Sequence, residues 1–134
     1  MSDASLKTRV LIIDDEKGMR DMLSFTLTKK NFDVTVMESG EKGVAAAIGS
    51  DFDVVVCDIM MPGLDGIKFL EILKRERPAV EVIIVTGYPH PDRYARAKEL
   101  GAFEFLSKPY AMATLCPMLE AAAARKRARA SSQS

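Results

Sequence analysis

Five short runs of β-branched and aliphatic residues recur along the chain, and a helix-like pattern follows each of them. The runs are Val10-Leu11-Ile12-Ile13, Val34 to Met37, Val54-Val55-Val56-Cys57, Val82-Ile83-Ile84-Val85 and Phe103 to Leu106. The unbroken apolar runs at Val10-Leu11-Ile12-Ile13 and Val54-Val55-Val56-Cys57 read as buried strands, the latter covered on both faces. Strands that alternate with helices predict a parallel sheet with right-handed crossovers and helices on both sides, an α/β doubly wound fold. The run holding Val34, Val36 and Met37 is the weakest, and it predicts a strand near an edge.

The first helix is predicted over Lys17 to Lys30, with Met19, Met22, Leu23, Phe25, Thr26 and Leu27 as its apolar stripe and Asn31 as its stop. A short second helix runs from Gly40 to Ile48 and closes at Gly49. The third opens near Asp65, turns Ile67, Phe69, Leu70, Ile72 and Leu73 inward, and ends at Pro78. The fourth, Asp92 to Leu100, is poorly amphipathic and is capped by Gly101. The fifth carries Met112, Leu115, Met118 and Leu119 and continues to Arg129. Pro117 lies inside that pattern and removes a backbone donor, which predicts a late start or a kink. Fraying is expected from Ser131 onward.

The chain has 134 residues and 48% hydrophobic residues, enough for one self-supporting core. Residues 1–8 are expected to be a flexible lead, 9–129 the folded domain and 130–134 a flexible tail, with no linker to a second domain. The formal net charge is zero, which argues against a general binder of nucleic acid or membrane surfaces. The two cysteines, Cys57 and Cys116, show no metal or disulfide spacing and read as buried free thiols. No apolar run is long enough for a membrane span, and no apolar signal core opens the chain, so a cytoplasmic location is expected.

Polar residues suited to chemistry end four of the five runs. Asp14 and Asp15 end the first, Asp58 the third and Thr86 the fourth, and Lys108 follows the fifth. In a parallel sheet these ends share one edge, where open α/β sheets bind ligands. Carboxylates about 4 Å apart repel by roughly 4 kcal/mol at a surface-like dielectric, so three of them call for a cation. Oxygen donors without histidine or thiol favour a hard ion, Mg2+ above all. Lys108 adds a fixed positive charge that pairs with Asp58 at rest and with an anion later. A carboxylate, a hard metal, a lysine and a hydroxyl suit phosphoryl transfer to Asp58, with Thr86 donating a hydrogen bond to the transferred group. Gly87 leaves room for it.

Together, Asp14-Asp15, Asp58 with Met61-Pro62-Gly63-Leu64-Asp65-Gly66, Thr86-Gly87 and Lys108-Pro109 resemble the receiver domain of two-component response regulators. The resemblance runs from Arg9 to Leu119. It implies a flavodoxin-like sheet of order 2-1-3-4-5 and a phosphorylation switch in which Asp58 accepts a phosphoryl group from a sensor histidine kinase or a phosphotransfer protein. It implies Mg2+ held by Asp15, Asp58 and the backbone carbonyl of Met60, with Asp14 acting largely through water. It implies that Thr86 and Phe105 form a switch pair read out on the fourth helix, fifth strand and fifth helix, a face open to a homodimer or an output partner. Such a protein is a phosphoacceptor that assists its own phosphorylation and slow dephosphorylation, and is not an enzyme on other molecules. Bulky Met60 and Tyr88, at positions that tune water access in this family, suggest slow loss of the phosphoryl group.

Plainer readings stand beside these. An acidic pair after a strand often caps a helix, and Asp before a Pro-Gly loop is often a turn residue. Phe105 is also read as a partly buried sheet aromatic. His90 is read as solvated and not as a ligand. Arg125, Lys126, Arg127 and Arg129 are read as cations suited to a helix C-terminus, without direct contact to nucleic acid. The methionines read as core filling. A Mg2+-dependent phosphohydrolase, an interaction module with a degenerate site, and the N-terminal domain of a transcriptional regulator are the competing functions. Met60, where such hydrolases often place a second acid, disfavours the first.

Overall fold

The computed structural model describes residues 7–59, 66–87 and 90–132, with side chains up to 129. Five strands alternate with five helices: β1 (Arg9–Ile13), α1 (Lys17–Lys29), β2 (Asp33–Met37), α2 (Gly40–Gly49), β3 (Val54–Asp58), α3 (Gly66–Glu76), β4 (Glu81–Thr86), α4 (Pro91–Glu99), β5 (Glu104–Ser107) and α5 (Met112–Ser132). All strand pairs are parallel, in the order β2-β1-β3-β4-β5. The central strands β3 and β4 are buried along their whole length, as their unbroken apolar runs require. β2 and β5 lie at the edges and are only partly covered.

Alternate side chains of each strand enter two separate cores. Leu11, Ile13, Val55, Cys57, Val82 and Ile84 meet α2, α3 and α4 through Ala47, Phe69, Leu70, Leu73 and Ala97. Val10, Ile12, Val54, Val56, Ile83 and Val85 meet α1 and α5 through Leu23, Leu27, Leu115, Leu119, Ala122 and Ala123. Helices therefore cover both faces, and all strand C-termini share one edge.

Several expectations need correction. The α1 stripe is narrower than predicted: only Leu23 and Leu27 are buried, while Met22 and Phe25 face outward. α5 does not start late, because Ala111 accepts from the amides of Thr114 and Leu115 and the helix runs on through Pro117. Its helical backbone also continues to Ser132. At the other end Thr8 is buried, and its carbonyl accepts from the Asp33 amide at 2.9 Å. Cys57 is buried and Cys116 half-buried, and both are thiols outside any disulfide. Asn31 does stop α1, with φ 73°, and Gly101 follows α4 with φ 96°.

Candidate functional site

The site is built at the C-terminal edge of the sheet. β1 and β3 are adjacent, with Ile13 opposite Cys57, so the residues that follow in each strand come together. Asp14 and Asp58 are buried and Asp15 is exposed. One carboxylate oxygen from each of the three lies within 4.8 Å of the others.

Lys108 reaches this edge from beyond β5. Its Nζ donates to Asp58 Oδ2 at 2.8 Å and to Asp14 Oδ2 at 3.0 Å, and it lies 3.6 Å from Glu16 Oε1. Its amide donates to the carbonyl of Thr86 at 2.7 Å, which ties the β5–α5 loop to the end of β4. Burial works against the lysine charge, but the hydrogen bonds to Asp58 and Asp14 outweigh it and hold the ammonium above its ordinary pKa. Lys108 is therefore cationic throughout the neutral range.

Asp14 is fixed at every polar group. Its Oδ1 accepts from the Glu16 amide at 2.9 Å, its carbonyl from Arg20 Nη1 at 2.8 Å, and its amide donates to the Met37 carbonyl at 3.2 Å. Sequence reading missed the parts played by Glu16 and Arg20. Arg20 lies one helical turn after Glu16, and only the fold turns it back onto β1. Tyr110 is a further addition. Burial raises its hydroxyl pKa, and the charges of Lys108, Asp14 and Asp58 act on it. The Tyr110 hydroxyl is buried without a hydrogen-bond partner among the described residues.

Thr86 is the last residue of β4, fully buried and paired in register with Ser107. Phe105 lies next along β5 from Glu104, half-buried, with its ring 5.3 Å from that of Tyr94 on α4. Those rings, with His90, Pro91 and Ser107, line a groove of about 370 Å³. His90 is exposed, as read, yet it also caps α4: its Nδ1 accepts from the Asp92 amide at 3.2 Å. Met60, the Met61 to Asp65 loop and Tyr88 lie outside the described residues. A Cβ at Gly87 would meet nothing within 4 Å, so the described residues place no steric demand for glycine there.

The start of α3 is tied to the end of β3. Gly66 donates its amide to the Ile59 carbonyl at 3.0 Å, and a Cβ at Gly66 would fall 2.6 Å from Ile59 Cα. Only glycine lets α3 begin this close to the strand that ends on Asp58.

A second charged cluster lies at the opposite edge of the sheet. Glu81 opens β4, is fully buried, and forms ion pairs with Arg125 at 3.1 Å and Arg129 at 3.0 Å. Lys126 pairs with Asp51 at 2.9 Å and Asp53 at 3.5 Å, and Arg127 with Asp53 at 3.4 Å. The basic cluster of α5 is thus held by acids of the domain, not by the helix dipole alone, which corrects its reading from sequence.

Comparison with known proteins gives the same picture as the geometry. A family model described as the response regulator receiver domain matches residues 10–120. The transcriptional regulatory protein FixJ of Bradyrhizobium diazoefficiens is 37% identical over 116 residues, covering 87% of this chain and 57% of FixJ. The chain thus spans little more than half of that relative. The crystal structure of a response regulator receiver domain from Clostridium thermocellum superposes with a TM-score of 0.85 at 32% identity, covering 90% of this chain and 97% of that one. The beryllofluoride-activated NtrC4 receiver domain, solved as a dimer, superposes with a TM-score of 0.83 at 29% identity, covering 88% and 98%. Among the described residues no helix is long and apolar enough to cross a membrane. With the sheet order, the acidic edge bridged by a lysine and a family match over most of its length, the chain belongs to the response regulator receiver domain family.

Proposed function

We propose that this chain is a phosphorylation switch that takes a phosphoryl group onto Asp58 from the phosphohistidine of a sensor kinase or phosphotransfer protein. The observation that carries the reading is the Lys108 ammonium held between Asp58 and Asp14, at 2.8 and 3.0 Å. A carboxylate of Asp58 attacks phosphorus, the new O–P bond forms as the N–P bond breaks, and the imidazole nitrogen leaves with the electron pair. Lys108 then exchanges its contact with Asp58 for one with the incoming phosphoryl oxygens. Thr86 donates its hydroxyl to the same group, and Phe105 follows it as the second member of the switch.

The acids fit a hard divalent cation, since three carboxylates converge with no histidine or thiol among them. Asp14, Asp15 and Asp58 would hold Mg2+, with the Met60 carbonyl as a further ligand, and the ion would draw negative charge from the transferred group. Asp15, exposed at the lip, is the acid most open to it.

The proposed readout is the face of α4, β5 and α5. Its support is physical: α4 buries only Ala97, and the Tyr94–Phe105 contact spans the groove between α4 and β5. A helix so lightly anchored exchanges between arrangements at small energetic cost. The same face is the proposed site for a second copy or an output partner; the NtrC4 receiver, solved as a dimer, supports a second copy as partner, and the choice of face rests on the light anchoring of α4. A transcriptional output is supported only by the names of relatives such as FixJ.

Incubation with acetyl phosphate and Mg2+, read by intact mass, tests the proposal. The wild-type chain gains one phosphoryl group and Asp58→Asn gains none. Equal labelling of both, or labelling of neither under conditions that phosphorylate another receiver, rejects it.

A further inference from the structure

The end of α5 changes character at Ala123. Before that point the helix is held by apolar packing, through Leu115, Leu119, Ala122 and Ala123. From Ala124 to Arg129 no residue is buried, and the backbone is still helical to Ser132. The anchors there are charges. Arg125 and Arg129, one turn apart, both meet Oε2 of Glu81, at 3.1 and 3.0 Å. Arg125 also lies over the Phe103 ring, 5.4 Å from its centre. Lys74 of α3 approaches the other Glu81 oxygen at 4.0 Å. Lys126 and Arg127 grip Asp53, which the Arg9 amide also holds, at 2.9 Å.

We propose that residues 124–132 form an electrostatically latched strap, an extension of α5 that docks or leaves as a unit, with the Glu81 charge as its catch. These residues extend a helix that the packed part of α5 has already nucleated, but they bury no apolar face, so terminal turns prone to fraying are held chiefly by the charges. Glu81 is fully buried while its arginine partners are about half-exposed. The strap itself is therefore part of what covers the carboxylate, and docking and burial of Glu81 are one event. The catch opens β4, the strand that ends on the buried Thr86. A single strand thus joins the strap to the edge that carries Asp58. That last link rests on the function proposed above; the latch itself does not.

Hydrogen exchange on the full chain tests the latch, comparing wild type with Glu81→Gln and Glu81→Leu. Both variants remove the charge without leaving a buried ion. Amides of 124–132 are expected to exchange about tenfold faster or more in both, while those of β1 and β3 keep their protection as an internal standard. In the wild type, 1 M salt moves the same amides in the same direction. Unchanged protection of 124–132 in a folded Glu81→Leu or Glu81→Gln protein overturns the latch. Should one variant fail to fold, the other decides. Phosphorylation of Asp58 is measured separately, so loss of the labelling reaction and loss of the latch are distinct results.

Discussion

Lys108 brings its charge to an edge that already holds three carboxylates, and removing it leaves Asp14 and Asp58 facing one another with nothing between them. Lys108→Met is expected to lower stability by about 3 kcal/mol without divalent ions, the low end for breaking a buried pair. The sign of its pH dependence follows from the folded pKa, which the hydrogen bonds to Asp58 and Asp14 raise above the ordinary lysine value. A raised pKa gives stability that is fully present below the unfolded value of about 10.4 and is lost as pH rises through the folded one. The gap between wild type and Lys108→Met, measured by urea unfolding, is therefore flat from about pH 7 to 10 and closes only at higher pH. A gap that closes at a lower pH contradicts the pairing. At this scale the acids and the lysine were legible in sequence, because each follows an apolar run. Arg20, Glu16 and Glu81 were not. An acid opening a strand reads as solvated, and only the fold shows that α5 and Lys74 of α3 meet Glu81 at the start of β4.

Elements show where local pattern stops being informative. The stripe on α1 was read too wide because Met22 and Phe25 flank Leu23 and Leu27 on the helix surface, and apolarity alone does not separate core from exposed face. Phe25 is partly screened by Lys29, whose ammonium lies 4.8 Å from the ring centre. Pro117 does not delay the start of α5. Its position is past the first turn of α5, where a missing N–H and ring crowding are unfavourable, yet packing of Leu115 and Leu119 keeps the helix intact. Pro117→Ala is expected to raise the urea midpoint, by about 1–3 kcal/mol in stability, since Pro117 is exposed and the change leaves no cavity. Gly66→Ala goes the other way. The added methyl meets Ile59 Cα at 2.6 Å, and backbone cannot yield as a side chain does. A loss of about 1–3 kcal/mol is expected despite the better helix propensity of alanine. A stabilised Gly66→Ala protein would show that α3 and β3 are not so closely joined.

At the scale of the molecule the sheet is a rigid plate with unequal edges. β3 and β4 are buried throughout, and they present Asp58 and Thr86 from positions that packing does not let move far. Compliance must then lie in what is lightly packed, and α4 is the clearest case, since it buries only Ala97 and rests on β5 through the Tyr94–Phe105 contact. A switch needs two arrangements separated by a few kcal/mol, and an element that buries a single alanine and is otherwise held by surface contacts meets that need where a core strand does not. Beryllofluoride with Mg2+ provides a stable mimic of the phosphorylated state. Hydrogen exchange with and without it is expected to change at Pro91–Glu99 and Glu104–Ser107 while β1 and β3 keep their protection. On the proposed Mg2+ site, the ion alone is expected to stabilise the whole domain by mass action, by about 2.7 kcal/mol at a hundredfold excess over its dissociation constant, and so to slow global exchange without singling out α4. The two effects separate in Phe105→Ala, which keeps every acid and Lys108. That variant is expected to retain the Mg2+ stabilisation and lose the change at α4. If α4 responds equally with and without the Phe105 ring, the signal leaves the acidic edge by another route.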